Sequence, residues 1–150
     1  MADGSVLIQF KDLGFVAVLA FAAIGSALGT GAAGMAAIGA WKKCFAQSKE
    51  APFILTAFVG APLSQTIYGL IVMRTLAAKA DGGSYLWAAG VLGGLAIGMS
   101  AWMQGKAGAG ACDALAETGE GFGKYIMVLG VIETVALFVM IFIMLTVGNM

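Results

Sequence analysis

Four runs of apolar residues, each long enough to cross a bilayer as a helix, make up most of this chain: residues 11–40, 52–77, 85–111 and 122–147. A spanning helix needs about 20 mostly apolar residues. Within the hydrocarbon every backbone N–H and C=O must find a partner inside the segment, which a helix provides. The polar segments between the runs, 41–51, 78–84 and 112–121, are short. Consecutive spans are therefore expected as antiparallel neighbours in two hairpins, with both termini on one side. The expected fold class is an all-α membrane protein with four transmembrane helices. A soluble fold is excluded by composition: of 150 residues, 61% are hydrophobic and 11% charged, against roughly a quarter charged in soluble domains. One core of this size could not hide so much apolar surface.

Net charge is zero and histidine is absent, which argues against a nucleic-acid surface or a histidine-ligated metal centre. No basic residue precedes the first apolar run, so that run is expected to stay as a span and not to be cleaved as a signal peptide. Cys44 and Cys112 fall in the polar segments with no ligand cluster around them. They are expected to be reduced thiols near helix ends.

The two hairpins, residues 1–78 and 79–150, read as copies of one another. At an offset of 68 residues Met35 meets Met103, Cys44 meets Cys112, Gln65 meets Glu133 and Thr66 meets Thr134. The rare polar positions coincide, and that points to duplication. Within each hairpin the helices differ. Gly25, Gly29, Ala33 and Ala37 recur at four-residue spacing in the first span, and Gly90, Gly94 and Gly98 in the third. Such stripes let helix backbones approach closely in lipid. The first and third spans are expected to be thin and inward, the bulkier second and fourth outward, and the glycine density suggests a ring of subunits. Lys42, Lys43, Lys49 and Lys124 lie on the side of the two longer polar segments, against Lys11, Arg74 and Lys79 opposite. The positive-inside rule leans towards those two segments being cytoplasmic.

Glu133 is the one ionisable carboxylate of the last span, with apolar residues on either side. A charge at bilayer centre costs at least about 2.5–3.5 kcal/mol and usually marks an ion or proton path. No basic residue is placed as its fixed partner. Lys106, nearest by depth, can snorkel towards the helix end. This leaves room for an exchangeable cation, H⁺ or Na⁺. At 1.5 Å per residue, Glu133, Gln65 and Gln104 lie about 17, 20 and 12 Å from the same membrane side, so one shared polar layer is expected. Ser64 and Tyr68 sit within a turn of Gln65, and Pro62 frees a carbonyl from helical bonding. Carboxylate, amide, hydroxyl and carbonyl oxygens are the ligands hard cations prefer.

With GSALGTGAAG in the first span, PLSQTIYG in the second, Gln104–Gly105 in the third and VIET in the fourth, the chain resembles the proteolipid of the rotor ring in V-type and A-type rotary ATPases. The likeness is to the duplicated four-helix form and, within it, the sodium-transporting bacterial branch. The resemblance implies a non-catalytic subunit in a homo-oligomeric rotor ring. Glu133 would carry the ion, and a static membrane subunit with an essential arginine would discharge it. Central-stalk subunits would meet the cytoplasmic loops. It implies Na⁺ held by Glu133, Gln65, Gln104, Ser64 and the Ala61 carbonyl, with Tyr68 bonding the carboxylate and Thr66 and Thr134 in supporting positions. H⁺ is the alternative cargo, no organic cofactor or nucleic acid is implied, and the setting is the bacterial plasma membrane. A small four-helix cation/H⁺ antiporter is the competing reading, but that family carries its glutamate in the first helix and lacks a duplicated hairpin. A tetraspan scaffold would leave Glu133, Gln65 and Gln104 unexplained.

Overall fold

The computed structural model describes residues 4–79 and 85–149, without the side chains of 4–12 and of Tyr85. Most of the expected 78–84 connection lies outside these residues. Among them the ordered elements are α1 (Gly4–Ala46), α2 (Leu55–Gly60), a 3₁₀ turn (Ala61–Leu63), α3 (Ser64–Ala77), α4 (Tyr85–Thr118) and α5 (Phe122–Gly148). Four spans are long and apolar enough to cross a membrane: Leu13–Ala46, Leu55–Ala77, Leu86–Thr118 and Phe122–Gly148. The all-α, four-span architecture is the one expected.

The helix ends are not. α1 and α4 run on to Ala46 and Thr118, so much of the expected 41–51 and 112–121 loops is helix. At 1.5 Å per residue a 34-residue span is about 51 Å long, well beyond the roughly 30 Å hydrocarbon core. The extra turns are amphipathic. Ala40, Cys44, Cys112 and Leu115 are buried between α1 and α4, while Lys42, Asp113 and Glu117 face outward. Lys43 and Asp113 pair across the two helices at 2.9 Å, in an exposed contact that solvent screens. Hydropathy marks where a helix leaves lipid, not where it stops. The stop comes at Gly119 and Gly121, with φ of 71° and 92°, a left-handed backbone that glycine adopts without strain. Cys44 and Cys112 therefore sit inside helices. Both are free and buried, and the Cys112 Sγ faces the carbonyls of Ala33 and Leu55 at 3.8 and 3.9 Å.

The small residues of α1 and α4 bring two backbones together. A Cβ on Gly25 would stand 2.0 Å from the Gly98 carbonyl oxygen, one on Gly90 1.7 Å from that of Gly14, and one on Gly105 2.1 Å from that of Gly29. Residue numbers rise together along the contact, so the first and third spans run parallel. The second span packs on α1 through Gly69 against Ala22 and Pro62 against Gly29. The fourth span covers the outside, burying Leu129, Ala136 and Val147. Two apolar clusters result. One holds Val18, Val72, Leu76, Ile97 and Val147. The other holds Leu55, Phe58, Ala111, Leu115 and Leu129, with the Phe58 ring 5.5 Å from that of Phe122. Between the clusters lies a thin polar layer.

Candidate functional site

The polar layer forms where the second span changes pitch. Pro62 has no N–H to give, and the chain tightens there into a 3₁₀ turn before resuming as α3. The Ser64 hydroxyl lies 3.1 Å from the Ala61 carbonyl across this turn. Gln65 and Tyr68 follow on the first turns of α3, Gln104 enters from α4 and Glu133 from α5. Helical rise alone places these groups in one layer, and Gln65, Gln104 and Glu133 do meet in it.

Hydrogen bonding orients both amides. Leu129 O and the Glu133 carboxylate can only accept, so Gln104 turns its Nε2 to them, at 3.0 and 3.3 Å. Its Oε1 then accepts from Gln65 Nε2 at 2.8 Å. That leaves Gln65 Oε1 pointing towards Ser64, whose Oγ is 3.2 Å away. The two side chains are 0% and 1% exposed, so neither can trade these partners for bulk water.

Glu133 Oε1 is the focus. Ser64 Oγ donates to it at 2.5 Å and Tyr68 Oη at 2.6 Å. Around the single Ser64 proton stand three acceptors: Ala61 O, Gln65 Oε1 and Glu133 Oε1. Oxygens outnumber the protons available to them, the condition under which a cation substitutes for missing donors.

The remaining expected members lie elsewhere. Thr134 is exposed and its hydroxyl bonds back to Val131 O at 2.7 Å within α5, so it faces away from the carboxylate. Its match with Thr66 at the 68-residue offset gave no information on helical phase. Thr66 is partly buried one residue beyond Gln65, and the described bonds of the cluster do not include it. Lys106 lies over the Trp102 ring, 4.6 Å from its centroid. Sequence reasoning missed Ser100, whose hydroxyl donates to Ile132 O at 2.8 Å. The available signal was its place one helical turn before Gln104, on the same face of α4.

A search of curated proteins gave no match. Residues 87–146 match the family model for the C proteolipid of ATP synthase, a segment that covers nearly all of the third and fourth spans and contains Ser100, Gln104 and Glu133. Ser64, Gln65 and Tyr68 lie outside it. The second hairpin of this chain is thus a hairpin of the ATP synthase C-proteolipid family, whose members are non-catalytic and form the homo-oligomeric rings of ion-translocating rotors.

Proposed function

We propose that this chain is the duplicated, V-type form of the rotor-ring proteolipid, built of hairpins 1–78 and 79–150, and that it carries Na⁺ at Glu133. One observation carries the sodium reading: Ser64 Oγ has three oxygens within 3.2 Å and one proton to share among them. A cation seated among Glu133, Gln65, Ser64 and the Ala61 carbonyl uses the oxygens that Ser64 cannot serve. Gln104 orients Gln65 and holds the second carboxylate oxygen, and Tyr68 holds the first.

The mechanism follows from charge. Na⁺ beside the Glu133 carboxylate makes a neutral pair, which can face hydrocarbon. The bare carboxylate would incur the burial cost of an unpaired charge. Loading therefore permits rotation through lipid. Discharge requires a competing fixed cation, the role we assign to the arginine of a static membrane subunit. Gln65 occupies the first hairpin's counterpart of Glu133 and carries no charge, so each chain moves one ion for four spans. Fewer ions per ATP allow a steeper gradient for each ATP hydrolysed, which favours pumping. Central-stalk subunits would dock at the two longer loops on the cytoplasmic face of a bacterial plasma membrane.

Carbodiimide labelling of the purified ring tests the ion. Glu133 should be modified, and millimolar Na⁺ should protect it. H⁺ is the second reading, favoured by the two short bonds converging on Glu133 Oε1, which would equally hold a protonated carboxyl. Labelling that ignores Na⁺ would select the proton and remove sodium.

Tyr68→Phe deletes one of those bonds with little change in shape. Hydrogen bonds to charged groups contribute about 1.5–3 kcal/mol, so the half-protecting Na⁺ concentration should rise about tenfold or more. An unchanged midpoint in the same titration would show that Tyr68 does not support the loaded state.

A further inference from the structure

Ser100 is 6% exposed, and its hydroxyl reaches across to α5 and donates to the Ile132 carbonyl at 2.8 Å. That carbonyl belongs to the residue immediately before Glu133. One turn further along the same face of α4, Gln104 donates to the Leu129 carbonyl at 3.0 Å, the helical acceptor of Glu133's own amide. Two side chains of α4 thus grip the α5 backbone within the turn that leads into Glu133. The opposite face of α5, with Val128, Val131, Val135 and Phe138, is exposed. The remaining polar ties from α5 to the second span, from Ser64 and Tyr68, end on the Glu133 carboxylate itself.

These ties differ in what happens when the carboxylate moves. The Ser64 and Tyr68 bonds are lost as Glu133 turns away from its partners. Gln104 divides its amide between Leu129 O and Glu133 Oε2, so its surroundings change too. The Ser100 bond involves no atom of the carboxylate and survives the movement. We propose that Ser100 is a positioning residue for Glu133: it pins the α5 backbone to α4, so that loading and release are side-chain motions on a fixed helix. This rests on Glu133 being the ion carrier.

The test uses the assembled ring and measures carbodiimide labelling of Glu133 at fixed pH. In Na⁺-free buffer Ser100→Ala should label about threefold to tenfold faster than wild type, the range one neutral hydrogen bond supports. The half-protecting Na⁺ concentration should rise by a similar factor. Ser100→Thr keeps the donor and should restore both values. Ser100→Cys, with a weaker donor, should fall between them and serves if the alanine variant does not assemble. Val147→Ala loosens α5 in the apolar cluster away from the layer and should change neither value. Wild-type labelling rates in both the alanine and cysteine variants, or the same acceleration from Val147→Ala, would overturn the proposal. Absence of Na⁺ protection in wild type would instead sink the sodium assignment, while the Na⁺-free rates would still decide the role of Ser100.

Discussion

Glu133→Gln is expected to abolish ion translocation completely while rings still form. Glutamine keeps the side-chain length, and its Oε1 can still accept from Ser64 and Tyr68, which now lie 2.5 and 2.6 Å from the carboxylate. The apolar clusters on either side of the layer do not involve this side chain, and the glycine contacts between α1 and α4 are remote from it. What disappears is the negative charge. A neutral amide cannot form a neutral pair with Na⁺ or take up and release a proton, so no cargo can be carried through lipid. Uptake of labelled Na⁺ or of protons into vesicles holding the whole complex measures the loss, and native mass measurement shows the ring. Residual transport would mean that another group carries the ion. Loss of the ring would make Glu133 a structural residue.

The second large effect concerns the seam between the inner helices. Gly25→Ala should prevent assembly of an SDS-resistant ring. The added Cβ would lie 2.0, 2.3 and 2.4 Å from the O, Cα and C atoms of Gly98. Those atoms belong to a helix backbone and cannot turn aside as a flexible side chain could. Overpacking commonly costs about 1–3 kcal/mol. Here relief requires α1 and α4 to separate along a contact repeated at Gly14, Gly29, Gly90 and Gly105, so the full upper end of that range or more is expected. Between lipid-embedded helices, close packing is the main attraction, and separation forfeits it. Gly148→Ala, whose Cβ would meet nothing within 4 Å, should leave ring yield unchanged. Normal rings from Gly25→Ala in the same gel assay would show that the inner helices do not depend on backbone contact.

The site was legible in the sequence to the extent that it depends on depth. Glu133 is conspicuous because a carboxylate in an apolar helix is costly, and Gln65 and Gln104 fall near its level by simple rise per residue. Helical phase was less legible. Thr134, adjacent to Glu133 in sequence, points outward and bonds its own helix, whereas Ser100, in a span full of small residues, faces α5. The ends of α1 and α4 were misjudged because residues 41–46 and 112–118 mix polar with apolar side chains. They remain helical by pairing Cys44 and Cys112 inward and the charges outward.

The sequence by itself determined four spans, the small-residue faces of two of them and one charge stranded among apolar residues. These are local properties, governed by the hydrophobic length of a bilayer and the fixed rise of a helix. Only the tertiary structure decided which polar groups meet. The contacts of Gly25 with Gly98 and of Gly69 with Ala22 set the rotation and register of neighbouring helices. That registration turns Ser64 and Tyr68 onto the carboxylate and leaves Thr134 outside, because a side chain's partners depend on its helix's orientation, which no local pattern encodes.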